Sequence, residues 1–189
     1  MPLSFPNLNL LHGLTIETYP SDMLDSIRNA ARPPDGAPGP TEIQVQLCDA
    51  LYQVRHQPDE GTFYVVPWRE PGQVYSNDTA RWDNAKKLAR ELNITWKIDL
   101  CSFQVEAGSF TCSEGHLTCP ITKDIPTNGV FVKVSSRSDV CYLFDKEAFL
   151  NLLSLEFNHP LSQEPIRSDM IVRKSECYFN TERENFTLR

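Results

Sequence analysis

The amino-acid sequence predicts an α+β fold in two parts, with a boundary near residue 93. The part before the boundary contains several amphipathic stretches with helical spacing and one β-branched run. The part after it consists mainly of short runs in which apolar and polar side chains alternate, separated by turn signals. A chain of 189 residues can bury a packed core without metal ions or disulfides. We therefore expect a mixed α/β domain at residues 1–92 and a second domain at residues 93–189.

The first element predicted is a helix at residues 21–32. Ser21 suits the N-cap position, and the apolar residues that follow it lie on one face of a helix. These apolar residues are Met23, Leu24, Ile27 and Ala31. The prolines and glycines of residues 33–40 end the helix in an irregular loop, because they sustain neither a helix nor a central strand.

Three further elements are predicted before the boundary. Residues 41–54 carry an apolar stripe at helical spacing, which indicates a second helix. Residues 62–68 are β-branched and aromatic, which is typical of a strand. Residues 78–91 predict a third helix. The apolar stripe of the second helix consists of Ile43, Leu47, Ala50, Leu51 and Val54.

The second part is expected to contain short strands and one clear helix. Strands are predicted at residues 94–98, 102–105 and 130–134. Turn signals occur at Asn128-Gly129 and at residues 113–115. Residues 145–155 predict the helix, and residues 170–182 close the domain as a helix or a strand.

Charge and composition exclude several classes of function. The formal net charge of −7 argues against general affinity for nucleic acid or anionic membranes, which requires concentrated Lys and Arg. No run approaches eighteen apolar residues, and the first residues lack a basic segment followed by an apolar one. We therefore expect neither membrane insertion nor general secretion. The six cysteines are too few and too unevenly spaced for a disulfide scaffold, so we expect reduced, mostly buried thiols.

Two proline-containing loops are the most informative feature of the chain. The first begins Cys119-Pro120-Ile121-Thr122, and the second, His-Pro-Leu-Ser-Gln-Glu-Pro-Ile at residues 159–166, follows forty residues later. Proline fixes φ and removes a backbone donor, so each loop can present a neighbouring Ile or Leu to solvent at little cost in chain entropy. Because a predicted helix lies between them, the two loops predict a docking surface for another protein.

The segment at residues 119–166, about a quarter of the chain, resembles a U-box, the metal-free relative of the RING domain. It resembles more closely the C-terminal domain of the NleG family of bacterial type III effectors. The first loop matches closely, and Phe144-Asp145-Lys146 is similar to the Tyr-Asp-Arg of U-boxes. The second loop stands where U-boxes carry Asp-Pro-x-Thr-Arg-x-Pro-Leu.

The resemblance implies a fold and a function for each part. Residues 93–189 would form a U-box, a RING-like ββα domain without zinc. It would bind a host ubiquitin-conjugating enzyme charged with ubiquitin and promote ubiquitin transfer to lysines of a host target. That target would be held by residues 1–92, and residues 1–20 would include a partly flexible secretion signal. The protein would be a ubiquitin ligase without cofactor or covalent ubiquitin intermediate, secreted by a type III system and active inside the host cell.

The resemblance also implies roles for individual residues. Contact with the conjugating enzyme is expected from Pro120, Ile121, Leu152, Pro160 and Leu161. Structural roles are expected for Asp145, Phe149 and Leu153. Gln163 departs from the pattern, because U-boxes have an arginine there that bridges the conjugating enzyme and its ubiquitin. Glutamine keeps hydrogen-bonding capacity but lacks the charge and the planar fork of arginine.

Three alternatives remain open from the residues alone. Cys112, His116 and Cys119, with Cys101 and Cys141 nearby in sequence, could contribute to one zinc site, although the region has too few ligands for a RING with two zincs. Cys119 or Cys141 could act as a nucleophile with His116 or His159. The domain could also be an interaction module, with zinc or without metal, that has no ligase activity.

Overall fold

The computed structural model describes residues 3–5, 19–32, 41–47, 50–69, 79–155 and 158–189. The loop predicted at residues 33–40 and most of the expected secretion signal lie outside these ranges. The chain divides into two compact units, Met1–Asn93 and Ile94–Arg189. Among the described helices, none combines the length and the apolar character needed to cross a membrane.

The first unit contains a four-stranded sheet and helices. Its elements are β1 (Leu3–Phe5), α1 (Ser21–Ala31), β2 (Thr41–Leu47), β3 (Ala50–Gln57), β4 (Thr62–Pro67) and the first part of α2 (Thr79–Cys101). The strands are ordered β1-β2-β3-β4, with β1 parallel to β2 and the other neighbours antiparallel. The helix predicted at residues 21–32 is confirmed, although Pro20 rather than Ser21 is at its N-cap, and the strand predicted at residues 62–68 is confirmed.

The helix predicted at residues 41–54 is wrong, because this segment forms the hairpin of β2 and β3. Val45 pairs with Tyr52, and both side chains are buried together with those of Leu47 and Val54. Polar residues alternate with the apolar ones along β2, so one face of the strand packs inward and the other carries glutamate and glutamine. The apolar residues of residues 41–54 have helical spacing only when the two strands are treated as one continuous element.

Helix α2 is longer than predicted, since it continues from Thr79 to Cys101. The strand predicted at residues 94–98 is therefore wrong. Ile94, Ile98 and Cys101 are buried, and their spacing of four and three residues puts them on one helical face. Tertiary packing of this face outweighs the β-propensity of the isoleucines and the intervening threonine.

The second unit contains the last part of α2 and is built around a six-stranded sheet and helix α3. Its elements are β5 (Phe103–Gln104), β6 (Asn128–Lys133), β7 (Val140–Asp145), α3 (Lys146–Leu155), β8 (Ile171–Val172), β9 (Cys177–Asn180) and β10 (Asn185–Leu188). The strands are ordered β5-β6-β7-β10-β9, and β8 pairs with β6. The strand predicted at residues 130–134 and the helix predicted at residues 145–155 are confirmed within one to two residues at each end.

The turn predicted at Asn128-Gly129 is wrong, because both residues begin β6. The glycine is explained by packing: a Cβ at Gly129 would lie 2.6 Å from Leu143 Cδ1 and 2.8 Å from Val105 Cγ2. The segment predicted as a helix or a strand at residues 170–182 contains β8, a short 3-10 turn and β9.

Both faces of β6 are buried against separate hydrophobic clusters. Val130 and Val132 belong to a cluster formed with α3 and the end of α2. Phe131, between them in sequence, belongs to a second cluster with Leu143 and Phe186. The alternation of the strand thus places successive side chains in two cores, and the strand is consequently apolar on both faces.

Candidate docking surface

The two proline loops have the same backbone conformation. We call residues 119–124 loop 1 and residues 159–164 loop 2. In loop 1 the amide of the first residue donates to the carbonyl oxygen of the sixth at 2.9 Å, and in loop 2 the same bond measures 2.8 Å. The amide of the fifth residue donates back to the carbonyl oxygen of the first at 2.9 Å in loop 1 and 2.8 Å in loop 2. Each loop is therefore closed by two backbone hydrogen bonds in the same register.

The first side chain of each loop is buried and accepts a backbone hydrogen bond. Cys119 Sγ accepts from the amide of Ile121 at 3.4 Å, and His159 Nδ1 accepts from the amide of Leu161 at 3.3 Å. The imidazole also lies 3.4 Å from the amide of Ser162. These contacts hold the turn that follows each proline.

The fifth residue of each loop has the left-handed conformation, with φ of 66° at Lys123 and 60° at Gln163. Lys and Gln pay a steric cost there that glycine would avoid. The hydroxyls of Thr122 and Ser162 each lie 3.4 Å from the amide two residues later. The pattern Cys/His-Pro-apolar-Thr/Ser-x-acid thus corresponds to one loop geometry.

Both loops are attached to consecutive residues at the junction of β7 and α3. The amide of Asp145 donates to Cys119 Sγ at 3.2 Å. The ring of His159 packs edge-on against that of Phe144, with centroids 5.5 Å apart. Asp145 Oδ1 also accepts the amide hydrogen of Ala148 at 2.9 Å and so caps α3. One dipeptide therefore fixes the start of the helix and the base of both loops.

The third residue of each loop presents an apolar side chain to solvent. Ile121 is 36% exposed and Leu161 is 47% exposed. Pro120, Pro160 and Leu152 are half-buried. The remaining two residues with an expected structural role are Phe149 and Leu153, which are buried in the cluster beneath α3.

His159 is neutral at physiological pH, because burial lowers its pKa to about 4. Since Nδ1 accepts hydrogen bonds, the ring proton is on Nε2. Nε2 has no hydrogen-bond partner within the described part of the chain. Sequence reasoning gave His159 no structural role and missed its equivalence to Cys119. An alignment of the two loops, position by position, would have revealed it.

The residues of the possible zinc site have different surroundings. Cys119 belongs to the cluster beneath α3, whereas Cys112 packs against the cluster around Phe131. His116 is exposed, and its ring lies 4.7 Å from that of Phe179. In the ranges that the structure describes, no three Cys, His, Asp or Glu side chains are grouped so that they could hold a metal ion.

Neither cysteine considered as a nucleophile is accessible. Cys119 is fully buried and its sulfur accepts two backbone amides. Cys141 is buried within β7, and a hydrogen bond with the Cys177 thiol lowers its pKa. Thiolate formation alone does not create a nucleophile that a substrate can reach. The exposed chemistry at the two loops is therefore apolar contact rather than covalent catalysis.

Comparison with known proteins identifies the family. The model of the family described as "Effector protein NleG" matches residues 76–189, more than half of the chain. E3 ubiquitin-protein ligase NleG8 of Citrobacter rodentium is 44% identical over 188 residues, which are 98% of this chain and 78% of that protein. Probable E3 ubiquitin-protein ligase NleG7 of the same organism is 43% identical over 53% of each protein.

Two proteins from Escherichia coli O157:H7 extend the comparison. E3 ubiquitin-protein ligase NleG is 44% identical over 92 residues, which are 49% of this chain and 43% of that protein. The match thus spans about half the length of NleG7 and less than half that of NleG. The crystal structure of the NleG5-1 effector (C200A) covers 99% of this chain and 100% of its own, with a TM-score of 0.50 and 26% identity. The chain therefore belongs to the NleG family of effector proteins.

Proposed function

We propose that this protein is a ubiquitin-protein ligase of the U-box type. The observation that carries the proposal is the pair of matched loops, which expose Ile121 and Leu161 and are both attached to the Phe144-Asp145 dipeptide that precedes α3. The relative that matches almost the whole chain is named an E3 ubiquitin-protein ligase, which supports the same activity. The β6-β7-α3 succession supports a RING-like domain at residues 93–189.

In this proposal the loops and α3 bind a ubiquitin-charged conjugating enzyme. Pro120, Ile121, Leu152, Pro160 and Leu161 form the contact surface. Burial of an apolar side chain such as Ile121 in the interface contributes roughly 1.5–3 kcal/mol. The two prolines and the closed hydrogen-bond pattern order the loops before binding, so less chain entropy is lost when the partner docks.

The chemical step requires no nucleophile on this chain. The lysine amine of the target attacks the thioester between ubiquitin and the conjugating enzyme, whose cysteine leaves as a thiol. The ligase accelerates this step by holding target and thioester together. No metal or other cofactor takes part in the mechanism that we propose.

Gln163 replaces the arginine that would restrain the thioester. Its Nε2 donates to the carbonyl oxygen of Pro160 at 3.2 Å, so the amide group is engaged within its own loop. An uncharged side chain bound in this way offers a weaker bridge to ubiquitin than a guanidinium. We infer that binding of the conjugating enzyme contributes more to activity than restraint of the thioester.

Residues 1–92 are proposed to hold the host target, and the protein is proposed to act inside the host cell after type III secretion. Membership in an effector family supports this setting. The described part of the first unit has a hydrophobic core of its own, which supports an independent binding role.

A ubiquitination reaction tests the proposal. The full chain is incubated with ubiquitin, ATP, activating enzyme and a panel of conjugating enzymes, with and without a strong chelator. Ile121→Ala is compared with Ile125→Ala, since the two isoleucines are 36% and 38% exposed and only the first belongs to loop 1. We expect polyubiquitin that survives chelation, falls at least about tenfold in Ile121→Ala, and is retained in Ile125→Ala.

Two results would contradict the proposal at different levels. Equal activity of both isoleucine variants would refute the contact surface but leave ligase activity intact. Folded protein that forms no product with any conjugating enzyme would refute ligase activity. The second result would favour the interaction module, and loss of binding on chelation would favour a zinc-dependent one.

A further inference from the structure

A concave site lies in the C-terminal unit, lined by residues other than those of the proposed docking surface. It is a cavity of about 640 Å³ formed between the end of α2, the loop after β5, the turn before β9, and β9 and β10. This volume is within the usual range for small-molecule sites. None of the residues that form the cavity belongs to loop 1, loop 2 or α3.

Aromatic side chains form part of the cavity wall. Phe103, Phe110, Phe179 and Phe186 contribute to it, and Phe110 packs edge-on against Phe186 with centroids 5.8 Å apart. Tyr178 also lines the cavity and is 41% exposed. Aromatic rings at the wall and rim favour a flat apolar ligand group, because offset or edge-on ring contacts add to the free energy of burial.

The charged side chains of the cavity are cationic, and serine and threonine hydroxyls line it as well. Arg173, Lys174 and Arg189 line it, and no Asp or Glu does. Lys174 Nζ donates to Ser109 Oγ at 3.0 Å and lies 4.7 Å from the centre of the Phe110 ring. In the described ranges, none of the three cations forms an ion pair with a carboxylate. A protein with a net charge of −7 thus concentrates unpaired positive charge at an aromatic cavity.

Local structure holds the ammonium group of Lys174 at the cavity wall. Residues Lys174–Glu176 form a 3-10 turn, in which Glu176 Oε2 accepts the amide hydrogen of Arg173 at 2.7 Å. The carboxylate of Glu176 therefore binds a backbone amide. The rings under Lys174 and the hydroxyl of Ser109 fix its ammonium group while leaving donor capacity for a ligand.

We propose that this cavity binds an aromatic anion, with the ring against the aromatic wall and the anionic group against Lys174 and Arg173. The ligand is either a free small molecule or a side chain of this chemistry on a peptide, such as phosphotyrosine. The inference is independent of ligase activity, because it concerns binding at residues that the ligase mechanism does not use.

The test is a titration of the full-length protein followed by amide NMR shifts. Phenyl phosphate is the probe for the free ligand, and a phosphotyrosyl pentapeptide is the probe for the peptide. Two half-probes serve as controls: inorganic phosphate carries the charge without the ring, and benzyl alcohol carries the ring without the charge. We expect saturable shifts at Ser109 and Phe110 with phenyl phosphate or the phosphopeptide, and at least tenfold weaker binding of the two half-probes. Tighter binding of phenyl phosphate would identify the ligand as a free small molecule, and tighter binding of the phosphopeptide would identify it as a peptide side chain.

Variants separate specific binding from general attraction. Arg173→Gln and Lys174→Met should each weaken binding about tenfold, since each removes a charge-assisted hydrogen bond. Lys174→Arg should retain most of the affinity. Arg137→Gln, an exposed arginine outside the cavity, is the matched control and should bind as the unaltered protein does. Absence of saturable shifts, or equal binding of inorganic phosphate and phenyl phosphate, would overturn the proposal.

Discussion

Cys119 and His159 occupy the same position in two loops and have the same structural role. Each side chain is buried and accepts the amide hydrogen of the residue two positions later. Cysteine and histidine are common metal ligands, and their presence in the sequence suggested zinc or a nucleophile. Their role here is to accept backbone amide hydrogens inside a tight turn and so to hold the turn that follows each proline.

At the residue scale, His159 should make stability depend on pH. Burial lowers its pKa from 6.5 to about 4 in the folded protein, so the unfolded chain binds more protons between these values. The contribution of the neutral imidazole to the free energy of unfolding is complete above pH 6.5 and is lost as the pH falls towards 4. We expect urea unfolding of residues 94–189 to show a loss of at most about 3 kcal/mol over this interval.

A variant isolates the contribution of the imidazole. His159→Asn removes the titrating group, while its side-chain oxygen can still accept the amide hydrogen of Leu161 as in an Asx turn. The difference between the unfolding free energies of the two proteins should therefore shrink as the pH falls from 7 to 4.5. A difference that stays constant over this range would show that His159 is not held neutral by the fold.

At the element scale, the spacing of apolar residues predicted an element correctly where a single helix buries one apolar face. The helix at Ser21–Ala31 and the helix at Lys146–Leu155 were predicted because their apolar residues follow a single stripe. The β2-β3 hairpin was missed because its two strands together imitate helical spacing. Strict alternation of polar and apolar residues from Glu42 to Leu47 was present in the sequence and would have indicated a strand.

Features that arise from pairing across the fold could not be predicted. The apolar third residues of both loops were predicted from their proline context, but the attachment of both loops to Phe144 and Asp145 depends on distant backbone contacts. The aromatic cavity likewise joins residues that are far apart in sequence, such as Ser109 and Lys174, which are 65 positions apart. Spacing along the chain carries no signal for such contacts.

The cap of α3 gives a prediction at this scale. Asp145→Ala removes the acceptor of the Ala148 amide, so we expect unfolding free energy to fall by about 1 kcal/mol. Asp145→Asn keeps an acceptor and should lose less than half as much. Asp169→Ala is the matched control, because this exposed aspartate pairs with an exposed arginine and its loss should cost about 0.5 kcal/mol or less. Urea unfolding measures all three, and equal losses in Asp145→Ala and Asp169→Ala would contradict the capping role.

At the scale of the whole molecule, each unit has a buried titratable group, and the two groups change stability with pH in opposite directions. His159 belongs to the C-terminal unit and stabilises it at high pH. Glu91 belongs to the N-terminal unit, where it is 3% exposed and its Oε2 accepts the amide hydrogen of Tyr19 at 2.9 Å. Burial raises the pKa of Glu91 from 4.5 to about 7, despite that hydrogen bond and the attraction of Lys87 and Arg90.

The change of stability with pH that Glu91 causes is therefore opposite in sign to the change that His159 causes. Between pH 4.5 and 7 the folded protein binds more protons at Glu91 than the unfolded chain, so this contribution to stability is complete at low pH and is lost as the pH rises. Glu91→Gln mimics the protonated side chain at every pH. We expect the variant to be more stable than the unaltered protein by up to about 3 kcal/mol at pH 8, with little difference at pH 4.5. Hydrogen exchange resolved by residue measures the effect in residues 79–93, and an equal gain at both pH values would mean that packing rather than ionisation explains it.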